Sequence, residues 1–369
     1  MEVAHDAGVA RDVPERLWAI LQVSGRQAWA SVSGAECGPS GRFVVSGSAL
    51  PSSRPPDFRG ARAFLSPLLG CRAKCGYCYI RSVGYHQRVG VANGYGIENS
   101  LRDLYAHPGF VAGANGTIIS IGAWGDPFPE GQPDERAISL RWVESALASG
   151  NPVQVMSRFN AGREILAGVA AAQTRPGQVL YSTSITTAAH WKLFERYSAP
   201  PLERMRALRI AKSLGLSTNV MVKPYIPGVT GSPSEVSVIC ALIRSAGPDT
   251  VVVGDYAFDS RIATTIRALI RQAGLEPTTG ESESGYPLDC ASSSLLEVSK
   301  AEREVMTFVA ALRSCGINAF RKSACATAWV ESADLGLRAR HGMADFCVSC
   351  GLCEAVDVDS EDPVRTTVQ

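Results

Sequence analysis

The segment CRAKCGYCY, residues 71–79, places three cysteines on one short loop, directly after an apolar run over residues 64–69 and the turn residue Gly70. Cys71, Cys75 and Cys78 are separated by three residues and then by two. Three thiolates at this spacing can bind three corners of a 4Fe–4S cluster and leave the fourth iron free of protein. A zinc site and three unrelated core cysteines are the alternatives. Zinc favours paired C-x2-C knuckles with four ligands, and packing rarely needs three cysteines in one loop.

The composition narrows the class of protein. The chain has 369 residues, 46% of them hydrophobic, which suits one large α/β domain with appendages or two domains. The formal net charge of +1 suggests no basic stripe for nucleic acid. No apolar run approaches the roughly 20 residues of a membrane span, and the N-terminus lacks the basic start of a signal peptide. We therefore expect a cytoplasmic protein with no nucleic-acid or membrane partner.

Short apolar, β-branched segments alternate with amphipathic segments along most of the chain. The predicted strands are residues 64–69, 117–124, 153–157, 179–185, 218–225 and 250–256, and the predicted helices are residues 97–106, 135–149, 162–172, 201–214, 233–245 and 260–273. Six strand-then-helix units predict a parallel sheet with right-handed crossovers, because parallel strands need a long connection between them.

Three regions follow from this pattern. Residues 1–60 are broken up by glycine and proline and are predicted to form an N-terminal extension on the main domain. Residues 61–276 hold the alternating strands and helices. Residues 277–369 begin with a polar linker, continue in a predicted helix over 295–312 and end in a second group of cysteines.

The CxxxCxxC pattern, with an aromatic residue before its last cysteine, resembles the signature of the radical S-adenosylmethionine (radical SAM) superfamily. The resemblance implies a partial (β/α)6 barrel whose 4Fe–4S cluster binds SAM at its open iron, with Tyr77 among the cofactor-binding residues. In that superfamily the reduced cluster cleaves SAM to a 5′-deoxyadenosyl radical, which abstracts a hydrogen atom. The electron comes from an external donor such as flavodoxin or ferredoxin. Functional residues are expected just past the strand ends.

Residues 125–130, GDPFPE, resemble the Asp-Pro-aromatic-x-Pro-Glu segment of the spore photoproduct lyase-like branch. By that resemblance the cofactor-binding residues include Asp126, Ser157, Arg158, Ser184 and Tyr225, with Ser184 at the SAM carboxylate. The alternative for residues 125–130 is an ordinary proline-rich loop in which Asp126 is a capping residue. Arg158 has three open roles, which are binding the SAM carboxylate, binding a substrate oxygen, or facing solvent.

Two further strand ends carry candidate catalytic residues. Lys223 precedes a turn resembling the Pro-x-Ile-Pro-Gly turn of the family, and with Tyr225 it is a candidate for the pocket wall. Asp255 follows the sixth predicted strand and could orient a polar substrate. The alternative for each is an ordinary capping or loop side chain.

Ser182 lies two residues before Ser184, on the same strand face. Family members that return a hydrogen atom to the product radical have a cysteine at this position. A thiol gives up its hydrogen readily, whereas the O–H bond of an alcohol is too strong. Without that donor, loss of a proton and an electron would convert an H–C–OH centre to C=O. Cys290 or Cys315 could instead supply a hydrogen atom from elsewhere.

Cys347, Cys350 and Cys353 form a C-x2-C-x2-C run near the end of the chain, which resembles the ferredoxin-like pattern for a second 4Fe–4S cluster. Cys325 is the preferred fourth ligand and Cys290 the other candidate. Structural zinc is the alternative. A barrel followed by such an auxiliary cluster resembles the twitch architecture.

This combination resembles the aminoglycoside and aminocyclitol tailoring enzymes of antibiotic biosynthesis. They include epimerases with the cysteine donor and dehydrogenases of the spectinomycin type without it. We expect an oxidoreductase that converts an alcohol of such a small-molecule substrate to a ketone, with the auxiliary cluster accepting the electron. The alternatives are a redox-neutral epimerase, a peptide- or nucleic-acid-modifying radical SAM enzyme, and a non-catalytic iron–sulfur electron carrier or zinc module.

Overall fold

The computed structural model describes residues 53–59, 62–81, 89–254, 257–276, 297–298 and 302–332. Most of the predicted N-terminal extension and the predicted linker lie outside these ranges, as do Asp255, Cys290, Cys347, Cys350 and Cys353. The three predicted regions therefore stay predictions. No helix in the described ranges is both long and apolar enough to cross a membrane.

The elements are numbered in chain order. The strands are β1 (Asp57–Arg59), β2 (Arg62–Leu65), β3 (Leu68–Leu69), β4 (Val91–Ala92), β5 (Ile118–Ile121), β6 (Val153–Ser157), β7 (Val179–Ser184), β8 (Ser217–Val222), β9 (Thr250–Val253), β10 (Ala257–Phe258), β11 (Glu297–Val298) and β12 (Ala319–Phe320). The helices are α1 (Ile97–Ala106), α2 (Pro133–Leu147), α3 (Gly162–Ala171), α4 (Trp191–Phe194), α5 (Pro201–Ser213), α6 (Pro233–Ala246), α7 (Ser260–Gln272), α8 (Glu302–Ser314) and α9 (Ser323–Ser332).

Among the described residues, the main sheet has eight strands in the order β1-β2-β5-β6-β7-β8-β9-β12. The six strands from β2 to β9 are parallel, β12 adds a parallel strand at one edge, and β1 pairs antiparallel at the other. The predicted α/β class with a mostly parallel sheet is confirmed. That the sheet closes into a partial barrel stays a prediction. The C-terminal auxiliary iron–sulfur segment also stays a prediction.

The strands predicted over residues 117–124, 218–225 and 250–256 end earlier in the structure, at Ile121, Val222 and Val253. Two other predicted elements differ more. The apolar run 64–69 is not one strand, because Pro67 has no N–H to continue the ladder. Leu68 and Leu69 pair instead with β4. The helix predicted to begin at residue 295 begins at Glu302, because Glu297 and Val298 satisfy their backbone groups by pairing with β10.

Alternate side chains of the strands point to opposite faces of the sheet. One face packs on the helices, with Ile119, Val155 and Tyr181 buried against residues of α2, α3 and α5. Towards β9, α8 covers the same face with Val305 and Phe308. We call the other face the inner face. Part of it is covered by α9, whose Cys325 and Trp329 pack with Leu180 and Val252.

A hydrogen-bonded row of side chains crosses the inner face, and we call it the polar ladder. It consists of Arg62, Ser120, Gln154, Ser182, Asn219 and Thr250, one from each of the six parallel strands. Arg62 donates to Ser120 and Gln154, and Gln154 Nε2 donates to Ser182 Oγ at 2.9 Å. Asn219 Nδ2 donates to the same Ser182 Oγ at 3.1 Å and accepts from Thr250 Oγ1. All but Arg62 are fully buried, so the ladder fixes the register of neighbouring strands.

We expect Gln154→Ala to lower the free energy of unfolding by about 1–3 kcal/mol, because it removes hydrogen bonds to Arg62 and Ser182 inside the sheet. Urea unfolding of the apoprotein measures the effect. Asn99→Ala, which removes two exposed hydrogen bonds at α1, is the matched control and should change stability by less than about 0.5 kcal/mol. Equal losses in the two variants would contradict a structural role for the ladder.

Candidate functional site

The cysteine loop, residues 71–79, begins where β3 ends and lies against the carboxyl end of β5. Gly70 N donates to Trp124 O at 2.9 Å. A Cβ atom at Gly125 would lie 2.6 Å from the carbonyl oxygens of both Gly70 and Leu68, so only glycine allows this close approach. The loop is therefore fixed at the edge where the parallel strands end.

The three cysteines of the loop are not joined in disulfide bonds and lie in largely apolar surroundings. Cys75 is buried, and Cys71 and Cys78 are half-buried beside Leu69 and Trp124. Burial raises the pKa of Cys71 well above its usual range, and Asp126 raises it further. Burial raises the pKa of Cys75 to about 12, although the nearby Arg158 charge acts in the opposite direction.

This donor set fits an iron–sulfur cluster. Within the ranges that the structure describes, no three His, Cys, Asp or Glu side chains are grouped to hold a single metal ion. A cluster makes a different demand, because each cysteine binds a different iron. Thiols that are costly to ionise alone become ligands when the metal supplies the compensating charge. Cys71, Cys75 and Cys78 are the residues that would hold it.

Asp126 joins the end of β5 to the end of β6. Its carboxylate accepts hydrogen bonds from Ser157 Oγ at 2.7 Å, from Arg158 N at 2.6 Å and from Phe128 N at 3.0 Å. Burial raises its pKa, and these three hydrogen bonds oppose the rise. The structure thus brings together Asp126, Ser157 and Arg158, which the sequence placed at two separate strand ends.

The Arg158 side chain points at the cysteine loop. Its Nη1 lies 2.8 Å from Glu195 Oε1, and its Nη2 donates to Lys223 O at 3.0 Å. Its guanidinium also lies over the Tyr77 ring, 5.2 Å from the centroid. Because only 19% of the side chain is exposed, facing solvent is not its main role.

Glu195 accepts a hydrogen bond from Tyr77 OH and pairs with Arg204 as well as Arg158. Glu195 and Arg204 are fully buried. Burial alone would raise the pKa of Glu195, but the two guanidinium groups hold it below its usual range. Arg204 also donates to Ser184 O at 2.6 Å. The network therefore links the cysteine loop to the ends of β6 and β7.

Sequence reasoning missed both Glu195 and Arg204. The burial of Arg204 could have been predicted, since this residue lies three residues after Pro201 and four before Leu208, on the buried face of α5. A charged side chain at such a position needs a buried partner. The identity of that partner was not readable, because Glu195 follows the short helix α4, outside any periodic pattern.

The other predicted site residues are dispersed. Ser184 is 8% exposed at the end of β7, and Ser182 is fully buried in the polar ladder. Lys223 is exposed, with its stem against Gly254. Tyr225 does not join the group, because the chain turns after β8 and its ring packs on Phe308 while its hydroxyl donates to Glu304 at 3.2 Å. Asp255 lies outside the described residues.

Of the proposed ligands for a second cluster, only Cys325 is described. It is half-buried at the start of α9, against the inner face of the sheet. Cys315, a candidate hydrogen donor, is exposed after α8, at the opposite edge of the sheet from the cysteine loop.

Solved structures of spore photoproduct lyase share this fold. One, complexed with dinucleoside spore photoproduct, aligns with a TM-score of 0.53 and 12% identity over 74% of this chain and 78% of that chain. A mutant with bound AdoMet and the same dinucleoside aligns with a TM-score of 0.53 and 13% identity, with the same coverage. At this level of identity the likeness concerns the fold alone.

No protein-family model matches the chain. Uncharacterized proteins of Mycobacterium tuberculosis and Mycobacterium bovis are 22% identical over 189 residues, which is 50% of this chain and 55% of theirs. The chain thus spans about half the length of the curated relatives it matches.

Proposed function

We propose that this protein is a radical SAM enzyme. The observation that carries the proposal is the CxxxCxxC loop at the carboxyl edge of a parallel sheet whose fold is that of spore photoproduct lyase. One structure of that lyase holds AdoMet. When bound here by Cys71, Cys75 and Cys78, a 4Fe–4S cluster would supply the electron that cleaves SAM and so permits hydrogen-atom abstraction.

The protein's own residues would position and shield the reacting groups. Asp126, Ser157 and Arg158 form one rigid corner, because the carboxylate is held by three hydrogen bonds. Ser184 is the proposed contact for the SAM carboxylate, and its backbone is fixed by Arg204. Lys223, whose side chain is exposed, is a proposed residue of the pocket wall. An external donor such as flavodoxin or ferredoxin would supply electrons.

We propose in addition that the reaction oxidises an alcohol of an aminocyclitol or aminoglycoside to a ketone. The support comes from Ser182, which stands where a hydrogen-donating cysteine would be expected in an epimerase. Its Oγ accepts hydrogen bonds from the amides of Gln154 and Asn219. Two amide donors suit an oxygen acceptor and suit sulfur poorly. The neighbours of Ser182 are therefore adapted to a serine.

The oxidation needs an electron acceptor. Hydrogen-atom abstraction followed by loss of the hydroxyl proton leaves one electron to be removed before the C=O bond is complete. Our proposed acceptor is an auxiliary 4Fe–4S cluster bound by Cys347, Cys350, Cys353 and either Cys325 or Cys290. A cluster with four cysteine ligands has no open iron, so electron transfer is the role that suits it.

Metal analysis after anaerobic reconstitution tests the two clusters. We expect about eight irons per wild-type chain, and about four after Cys71→Ala, Cys75→Ala and Cys78→Ala together, with SAM cleavage lost. The same three changes at Cys347, Cys350 and Cys353 should also leave about four irons but keep SAM cleavage.

Cys240→Ala is the control, because Cys240 lies on α6 beside α8 and should not affect iron content. About four irons and one zinc in the wild type would refute the auxiliary cluster. A wild-type chain that binds no iron would refute the radical SAM proposal itself.

Ser182→Cys should change the reaction outcome. In D2O, with a panel of aminocyclitols and aminoglycosides, the wild type should give ketone without solvent deuterium at the attacked carbon. The thiol exchanges its hydrogen with solvent, so Ser182→Cys should deliver deuterium to that carbon, as mass spectrometry would detect. The sulfur radical left behind would regain an electron from the external donor and a proton from solvent. It should also lower the free energy of unfolding by about 1 kcal/mol, because sulfur is a weak acceptor for the two amides.

Ser182→Ala provides the control, since it removes the hydroxyl without adding a hydrogen donor. Deuterium incorporation should then be absent. If the wild type itself delivers solvent deuterium to an inverted carbon, the protein is a redox-neutral epimerase and the oxidation proposal is wrong.

A further inference from the structure

Glu195 is the centre of a buried charge group that the proposed chemistry does not use directly. It pairs with two arginines, so one carboxylate and two guanidinium groups leave a formal excess of one positive charge. Arg204 and Glu195 have no exposed surface. Buried ion pairs of this kind are expensive and seldom the best way to stabilise a fold, so a role in the neighbouring site is worth seeking.

The segment that carries Glu195 contacts the cysteine loop at two consecutive residues. Phe194 O accepts a hydrogen bond from Gly76 N at 2.8 Å, and the Glu195 carboxylate accepts one from Tyr77 OH. Thr186 Oγ1 donates to the same Tyr77 oxygen at 3.0 Å. Gly76 and Tyr77 are the two residues between Cys75 and Cys78, so these contacts fix the part of the loop that separates two thiols.

Glu195 is itself held in place by Arg204. Besides pairing with the carboxylate, the guanidinium donates to Ser184 O at 2.6 Å, Ala199 O at 2.7 Å and Ser198 Oγ at 2.6 Å. These three acceptors belong to three different residues between β7 and α5, so the guanidinium is held from several directions. The carboxylate therefore has a fixed position relative to the sheet.

We propose that Glu195 is a positioning residue for the cysteine loop, and that Glu195 and Arg158 set in opposite directions how readily a cluster held there is reduced. The inference rests on the proposed function, since it requires the cluster. It adds Glu195, which acts through the loop and through its charge, and it gives Arg158 a further role through its charge.

The opposite directions follow from charge. A 4Fe–4S cluster with three cysteine thiolates has a formal charge of about −1 when oxidised and −2 when reduced. A nearby positive charge favours the reduced state, and a negative charge disfavours it. The effect is strong here because the charges are largely shielded from water.

The test is a reductive titration of the reconstituted full chain with dithionite, without SAM, followed by electron paramagnetic resonance of the reduced cluster. At a fixed potential, Arg158→Gln should lower the ratio of reduced to oxidised cluster about tenfold, and Glu195→Gln should raise it about tenfold. For a one-electron couple this corresponds to about 59 mV in each direction. The auxiliary cysteines are replaced in every chain so that only one signal is followed.

Two controls separate charge from shape. Arg206→Gln removes an exposed guanidinium from the same helix as Arg204 and should leave the ratio unchanged. Arg158→Lys keeps the charge and should stay close to the wild type. Shifts of the same sign in Arg158→Gln and Glu195→Gln, or no shift in either, would overturn the proposal.

The positioning role has its own measurement, which does not depend on folding of a charge variant. Tyr77→Phe keeps every charge and removes only the hydroxyl bonded to Glu195. It should speed iron loss to a chelator by about tenfold, as changes behind metal ligands commonly weaken binding by that amount. Iron loss at the wild-type rate would contradict the role. A wild-type chain without iron would refute this inference and the proposed function together, whereas unchanged ratios in an iron-loaded, SAM-cleaving enzyme would refute the inference alone.

Discussion

Parallel pairing of β5, β6, β7 and β8 is the constraint on which the site depends. In a parallel sheet every strand ends at the same edge, so residues far apart in sequence are brought together without any further folding step. Register then determines which of them meet. Ile121 pairs with Val155 and Ser157 with Thr183, which brings the turn after β5 level with the end of β6. The bonds from Asp126 to Ser157 and Arg158 follow from this alignment.

The charge group around Glu195 has a different origin. Tyr77 and Glu195 are 118 positions apart, and they meet only because the cysteine loop folds over the ends of the strands. Removing a carboxylate from water is costly, and here the cost is offset by two guanidinium groups and a phenol. The gain is rigidity, because each partner is itself fixed by further hydrogen bonds. A loop intended to hold thiols in a set geometry needs such a fixed neighbour.

Much of the fold could be predicted from the sequence. Most of the six parallel strands lie in short segments rich in apolar and β-branched residues, and such segments indicate strands buried on both faces. The break at Pro67 was also readable in principle, since proline cannot donate to a ladder. The strand at Glu297 and Val298 was not, because a two-residue strand has no periodicity and depends wholly on its partner, β10. The cysteine loop and the residues around Asp126 could be predicted from local sequence patterns. The direction of the Tyr225 side chain and the partner of Arg204 could not be predicted, because both depend on contacts between distant elements.

The structure adds evidence about Ser182 that the sequence alone does not provide. In the sequence it is one hydroxyl among several at the end of a strand, and its meaning rests on an alignment of a short motif. In the fold it accepts hydrogen bonds from Gln154 on one neighbouring strand and Asn219 on the other. Three residues from three strands are thus matched to an oxygen at this point, and a cysteine would need different neighbours. Asn219 in turn accepts from Thr250, and Gln154 from Arg62, so the match extends across the sheet. A chance replacement of cysteine by serine would not bring adapted neighbours on both sides. The polar ladder is therefore the physical support for our proposal that the absence of a thiol at position 182 bears on the reaction.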